Sequence, residues 1–266
     1  QAGFTRLGII DLATSDQPLV EDRDANGAIR VLMGNGEIYN YRELRDEEAD
    51  YPFATQGDME TVLAVSRHGA GYLNRLNGMF ALALYEAEPH RLTLVRDRLG
   101  IKPLYWARTR AGGVVFASEI KALFASGLVV AKVDEAQIAT YLAHGYVPGP
   151  NTLFLGVSKD LPGHVVTVDA GGTVKDTAYW HAAPDPNLPR DADDIAVYLE
   201  ELISDSVRLQ LRSDMPVGAL LSGGLDSSLI VAMAAKLDLS KVNTFSIGFP
   251  TIENEEGNEF YYSDKV

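Results

Sequence analysis

A chain of 266 residues, 46% apolar and 23% charged, is long enough for one large or two ordinary domains and has the composition of a soluble globular protein. Its formal net charge of −14 argues against nucleic acid or an anionic membrane as the main partner. No uncharged apolar run approaches the roughly 18 residues that a bilayer span needs, and no opening segment reads as a signal peptide. The lack of cysteine rules out disulfides, thiolate metal sites and a cysteine nucleophile within these residues, and it fits a cytoplasmic enzyme.

The chain opens on Gln1-Ala-Gly-Phe-Thr-Arg6 without an initiator methionine, so Gln1 is not expected to be the biological start. Leu7–Leu12 reads as a buried strand. Ile29–Met33 reads as a second strand, running into Gly34-Asn35-Gly36-Glu37. Helices are expected from Tyr41 and from Met59, the latter just behind Gly57-Asp58. Met79–Tyr85 and Arg91–Val95, with a short polar break between them, predict a hairpin. A strand over Gly113–Ala117 precedes a short helix from Ser118 that Gly127 stops. Asp134-Glu-Ala-Gln137 has the spacing of a capping box, and its helix ends at Gly145. Strands follow near 163–168 and 173–179.

The proline- and acid-rich segment Pro184–Asp194 has little to bury and reads as a linker. Behind it, Ile195, Tyr198, Leu199, Leu202, Ile203 and Val207 recur at helical spacing. Val217–Leu221, a glycine loop, a helix over 229–237 and a strand over Val242–Phe249 form a βαβ pattern. Ligands in such sheets sit at the carboxyl ends of the strands, which sets Ser222 beside Ile247. Two strands cannot cover their helices, so this domain is expected to be incomplete. Glu253-Asn-Glu-Glu-Gly-Asn-Glu-Phe260 reads as an acidic loop.

Two stretches suggest chemistry. In Ser222-Gly223-Gly224-Leu225-Asp226-Ser227-Ser228, paired glycines permit close approach of backbone to a ligand. The N–H groups of the loop and of the following helix start favour an anion. Asp226 would repel a phosphate unless a divalent cation bridged the two. The loop lacks the lysine of the G-x-x-x-x-G-K-[ST] device. The plainer reading is a serine-rich turn with a capping side chain. The second stretch is Asn35-Gly36, expected at the end of a strand. There a glycine N–H and the Asn amide can donate to an oxyanion. Arg6 is a candidate carboxylate clamp and Asp58 a candidate partner for an ammonium group. Equally, Asn-Gly is a common turn, Asp58 a helix cap and a lone Arg a surface residue. Spacing alone leaves these open.

Whole strings go further. Asn35-Gly-Glu-Ile-Tyr-Asn-Tyr-Arg-Glu-Leu-Arg45, Asn77-Gly-Met-Phe-Ala81, Arg96-Asp-Arg-Leu-Gly-Ile-Lys-Pro-Leu-Tyr105 and Phe116-Ala-Ser-Glu-Ile-Lys-Ala-Leu123 closely resemble the glutaminase half of glutamine-hydrolysing asparagine synthetases. Tyr146-Val-Pro-Gly-Pro150 and Leu161-Pro-Gly-His164 continue the match. The loop from Ser222 resembles the pyrophosphate loop of ATP pyrophosphatases. The resemblance covers nearly the whole chain. It implies an N-terminal-nucleophile (Ntn) hydrolase domain, an αββα sandwich over residues 1–182, a linker over 183–194, and the first part of a doubly wound parallel α/β ATP-pyrophosphatase domain over 195–266.

Carried over position by position, the resemblance puts glutamine on Arg6, Leu7, Gly8, Ile9, Ile10, Asn35, Gly36, Glu37 and Asp58, with Asn35 and Gly36 as the oxyanion hole. ATP and its pyrophosphate fall on Leu221, Ser222, Gly223, Gly224, Asp226, Ser227 and Ile247, with Mg2+ on Asp226. The family string His-Arg-Arg-Leu-Ser reads Phe4-Thr5-Arg6-Leu7-Gly8 here. The implied reaction joins ammonia from glutamine to an adenylated carboxylate, with L-aspartate the expected acceptor, in a cytoplasmic enzyme that is often a homodimer. The family nucleophile is an N-terminal cysteine acting with its own α-amine. Its absence leaves two expectations: a preceding segment that carries it and at least one more strand, which is favoured, or a dead glutaminase domain as in β-lactam-forming synthetases. A relative that amidates another acceptor, and a module that only binds glutamine or ATP, are the alternatives.

Overall fold

The computed structural model describes residues 3–22, 29–237, 242–248 and 259–266. The chain divides into two compact units, Gln1–Ala183 and Pro184–Val266.

In the first unit a six-stranded antiparallel sheet forms from β1 (Leu19–Asp22), β2 (Ile29–Ile38), β3 (Gly78–Glu86), β4 (Arg91–Arg96), β8 (His164–Val168) and β9 (Val174–Ala178), side by side in that order. A smaller antiparallel sheet has β5 (Tyr105–Arg108) between β6 (Val114–Ala117) and β7 (Val157–Lys159). The period of two along each strand sorts side chains into separate layers. On β3, Phe80, Leu82 and Leu84 pack with Leu32 of β2, with Tyr41 and Leu44 of α1 (Tyr41–Glu47) and with Val62 and Leu63 of α2 (Glu60–Ser66). The alternate residues Ala81 and Ala83 pack with Leu94, Leu104 and Val166, against which Trp106 and Phe116 of the smaller sheet lie. On the far side of that sheet, Ala107 and Val157 meet Leu123 of α3 (Ile120–Ala125). Helices, sheet, sheet and helix thus stack in four layers, an αββα sandwich. The hydrophobic pattern alone sets the order. The unit also contains α4 (Ile138–His144), which Gly145 ends in a left-handed cap.

Pairing of Asn35 with Ala81 and of Glu37 with Met79 puts Asn35 and Glu37 on the face turned to the smaller sheet. Gly34, on the other face, lies under Met59: a Cβ there would come within 2.5 Å of the Met59 sulfur.

The second unit has α5 (Ala192–Gln210), β10 (Gly218–Leu220), α6 (Leu225–Lys236), β11 (Asn243–Phe245) and α7 (Phe260–Ser263). β10 and β11 pair in parallel, with α6 as the connection between them. The Asp191 carboxylate accepts from the Asp193 N–H at 3.0 Å and so caps α5. A Lys236–Glu200 ion pair at 2.6 Å ties α6 to α5.

Several expectations change. Leu7–Leu12 forms no strand, and Leu7 is 84% exposed. The Arg6 guanidinium takes the carbonyls of Ile10 and Asp11 at 2.7 Å each and curls the segment on itself. Asn35-Gly36 does not end its strand, because β2 continues to Ile38. Asp58 does not cap α2: Met59 stands at the cap position, and the Asp58 side chain turns to the Ile38 N–H instead. β1, β5 and β7 have no counterpart among the expected elements. Gln1, Phe249 and the acidic loop over 253–258 lie outside the described residues.

Candidate functional site

At one end of the sandwich a cavity of about 590 Å3 opens against β2 and β3. Arg6, Asn35, Gly36, Glu37 and Asp58 all line it, as do Leu7, Ile9 and Ile10. Gly8 does not border it; a side chain there would meet Leu12.

The sheet supplies the floor. Gly36 has φ +143°, and a Cβ on it would fall 1.9 Å from the Met79 carbonyl oxygen of the neighbouring strand. Only glycine fits that position. Beside it, the Asn35 side-chain amide makes no hydrogen bond among the described residues.

Two loops make the walls. The Asp11 carboxylate accepts the N–H groups of Thr14 at 2.9 Å and Gln56 at 2.8 Å, and so joins them. Burial raises the Asp11 pKa, but the Thr14 hydroxyl and these amides outweigh burial and hold it at about 2. Glu60, itself buried, accepts from Ala54 N–H at 2.8 Å and from the N–H and hydroxyl of Thr55 at 2.7 Å each. Arg45 grips the carbonyls of Thr55 and Gly57 at 2.7 and 3.2 Å. The outcome is that Asp58 is held at 6% exposure, its Oδ2 accepting the Ile38 N–H at 2.7 Å.

Gln17 was not foreseen. Its side-chain amide donates to the Gly34 carbonyl at 3.1 Å and accepts the Gly34 N–H at 2.6 Å. The β1–β2 register, extended from Leu19–Leu32, would set residue 17 opposite residue 34. The side chain therefore stands in for a strand where β1 has ended.

Glu37 and Asp58 share a proton. Burial, then the Asp58 charge and the hydrogen bond to it, push Glu37 up to about 8. Burial also raises Asp58, while backbone N–H groups from Ile38, Asp58 itself and Met59 pull it back. Near neutral pH the pair therefore carries about one negative charge, with the proton on Glu37.

The string Arg96–Tyr105 proves to be scaffold. Asp97, 1% exposed, accepts four backbone N–H groups: Phe80 at 3.2 Å, Leu99 at 3.1 Å, and Ile101 and Lys102 at 2.9 Å each. Arg96 donates to the carbonyls of Lys102, Gly100 and Asp160 at 2.9, 2.7 and 2.6 Å. The turn they fix carries Lys102 to the cavity wall. Lys102 is the residue that sequence reasoning missed, although it is the lone charge in an otherwise apolar Gly-Ile-Lys-Pro-Leu run.

In the second unit, the loop from Ser222 lies at the carboxyl end of β10, with Gly224 as the N-cap of α6. Leu221 N–H donates to the Phe245 carbonyl at 2.8 Å, and the Ser246 hydroxyl donates to the Leu221 carbonyl at 2.6 Å. These bonds hold the strand end next to the segment leading to Ile247. Ser222 and Ser227 hydroxyls pair at 3.0 Å, and the Ser228 hydroxyl is buried without a partner. Asp226 is exposed in the first turn of α6. Gly223, at φ +76°, is covered by α7, since a Cβ would lie 2.4 Å from Tyr262. This glycine is thus used for helix packing as well as for any ligand. Within the loop the Ser222 N–H donates to the Ser227 hydroxyl and the Gly224 N–H to the Ser222 hydroxyl, at 3.3 Å each.

Comparison with known proteins agrees with the two-part layout. Residues 1–180 match the family described as glutamine amidotransferase domain, and residues 198–266 the family described as asparagine synthase. The chain is 40% identical over 250 residues to asparagine synthetase [glutamine-hydrolyzing] 1 of Bacillus subtilis, covering 93% of this chain and 38% of that protein. It is 41% identical over 261 residues to a putative asparagine synthetase [glutamine-hydrolyzing] of Mycobacterium bovis, covering 93% of this chain and 39% of that one. It thus spans about two-fifths of the length of these relatives. Among solved structures, a glutamine phosphoribosylpyrophosphate amidotransferase from B. subtilis aligns over 90% of this chain and 51% of its own, at 15% identity and a TM-score of 0.45.

Proposed function

Since the chain belongs to the glutamine amidotransferase domain family and carries an asparagine synthase match over residues 198–266, we propose that the protein is an ATP-dependent amidotransferase that makes L-asparagine from L-aspartate. Glutamine is the nitrogen donor; glutamate, AMP and pyrophosphate are the other products.

The first cavity receives glutamine. Asp58, carrying the negative charge of the carboxyl pair, binds the α-ammonium group, and Glu37 lies behind it. Arg6 orders the wall of Leu7 to Ile10 beside the amino-acid head group. The Asn35 amide and the Gly36 N–H donate to the side-chain carbonyl oxygen as it takes on negative charge during attack. Donors already in place are worth most there, because nothing has to reorganise. The observation that carries this reading is the Asn35 amide, uncommitted on a strand that faces the cavity beside a glycine no other residue could replace.

The loop from Ser222 receives ATP. Ser222, Gly223, Gly224 and Ser227 hold the pyrophosphate as it leaves, and the backbone at Leu221 and Ile247 borders the nucleotide. Tight binding of the departing group favours the transition state over the bound substrate. Mg2+, held by Asp226, neutralises phosphate charge when bound. The test is a reaction of the intact protein with glutamine, aspartate and ATP in cytoplasm-like buffer, scored for asparagine and AMP in equal amounts. Glutamate and AMP without asparagine would assign another acceptor. Glutamate alone would leave only the first site standing.

A further inference from the structure

β2 outlasts its neighbour on one side. β1 begins at Leu19, opposite Leu32. From Gly34 to Ile38, β2 therefore has β3 along one edge and, among the described residues, no strand along the other. The main-chain groups of an antiparallel strand alternate between its two edges. Ile29 and Tyr39 bond towards the β3 side, the first accepting from Ala87 and the second donating to Asn77. Residues 34, 36 and 38 thus turn their N–H and C=O groups to the open edge.

Two side chains close most of that edge. The Gln17 amide brackets Gly34 as a strand would, its Nε2 donating to the carbonyl at 3.1 Å and its Oε1 accepting the N–H at 2.6 Å. Farther along, Asp58 Oδ2 accepts the Ile38 N–H at 2.7 Å. Gly36 lies midway, and among the described residues no side chain takes its main-chain groups. The gap is one residue wide and opens on the first cavity.

This stretch needs holding. Asn35 stands between two glycines, the residues with the widest backbone freedom. Gly34 has no side chain to anchor it, and Met59 leans on it from the face opposite Asn35. A rotation at Gly34 would swing the Asn35 amide and the Gly36 N–H together. A single hydrogen bond there would act as a pivot. Gln17 bonds the N–H and the C=O of Gly34 at once, and so resists the rotation.

We infer that Gln17 is a positioning residue for attack on the glutamine amide: by fixing Gly34 it keeps the Asn35 amide and the Gly36 N–H aimed at the developing oxyanion. This rests on the glutamine reading given above. Gln17 acts through the strand and not by touching the reacting atoms.

The test is glutamine hydrolysis by the intact protein. Gln17→Met fills similar space and makes neither bond. Gln17→Glu keeps the acceptor for the Gly34 N–H and sets an oxygen against the Gly34 carbonyl, so one bond remains to support folding. Both should lower kcat by roughly 10- to 100-fold, less than the loss of a whole oxyanion donor and in keeping with a donor moved by part of an ångström. KM for glutamine and Ki for the product glutamate should stay within about twofold, because the interaction is made in the transition state. In an Asn35→Ala background Gln17→Met should cost clearly less than it does alone, since the donor it aims is gone. A rise in KM with kcat intact would make Gln17 a shaper of the pocket only. Losses that simply add in the double variant would break the link to Asn35. Either result overturns the proposal, as do unchanged kinetics in both single variants. A wild-type protein that does not hydrolyse glutamine would instead defeat the underlying reading, a failure seen before any variant is made.

Discussion

The two sites use a left-handed glycine for different ends. At Gly36 the missing side chain makes room for the next strand of the same sheet, at 1.9 Å from a backbone carbonyl. At Gly223 it makes room for α7, at 2.4 Å from Tyr262. The acids differ in parallel. Asp58 is buried and bonded by the fold, and Glu37 is held protonated beside it, whereas Asp226 is exposed on the first turn of a helix. The first site has been built by folding and its geometry is part of the stability of its unit. The second is a short loop whose serines bond only to one another and to the loop backbone, with one carboxylate exposed beside them. Mutations should therefore separate stability from activity at the second site and join them at the first.

Asp226→Ala gives the largest expected effect on activity. AMP formation should be lost, while glutamine hydrolysis and the thermal midpoint should stay where they are, because an exposed side chain without partners contributes little to folding. A marked fall in the midpoint would break the contrast. Gly36→Ala should do the reverse. Forcing a Cβ against a strand carbonyl at positive φ should cost about 3 kcal/mol of unfolding free energy, read by urea denaturation, and should remove glutaminase activity with it. Asp97→Asn lies between these. Replacing a carboxylate that serves four backbone N–H groups should cost about 2 kcal/mol, and loosening this turn at the cavity wall should also raise KM for glutamine. Full stability with normal KM would show that the turn holds without its acid.

What could be read in the sequence was local. The seven residues from Ser222 to Ser228 run from the end of a strand through the first turn of α6, so their meaning is contained in one short stretch. The helical spacing from Ile195 to Val207 likewise needs no distant partner, and α5 covers it. The 3- and 4-residue strands β1, β5 and β7 were not legible, because such runs acquire strand form only from neighbours far along the chain. Leu7–Leu12 failed for the opposite reason: its apolar pattern is real, but an arginine upstream takes the carbonyls that a strand would need. Gln17 and Lys102 reach the cavity through register and through a turn fixed by buried ions, neither of which has a sequence period. Asn35 and Glu37 could be paired in advance only by taking the strand past Gly36, and a glycine at that point argues for a break.

The smallest effect tests the most particular feature of the first site, the proton held by Glu37. Its pKa of about 8 in the fold, against an ordinary 4.5, means the folded protein binds this proton more tightly than the unfolded chain does. The contribution to stability is therefore greatest at low pH. It declines as pH rises from 4.5 towards 8 and changes no further above that. Binding of an ammonium group beside the pair favours the charged form and drives the proton off. Glutamine should then bind with partial release of that proton, so its KM should fall as pH rises from 6 to 8 and level off above. Glu37→Gln keeps the hydrogen bond to Asp58 but has no proton to give, so its KM should be flat over the same range. A wild-type profile as flat as that of the variant would mean that Glu37 is already ionised in the free site, and that Asp58 meets the substrate with a second negative charge at its side.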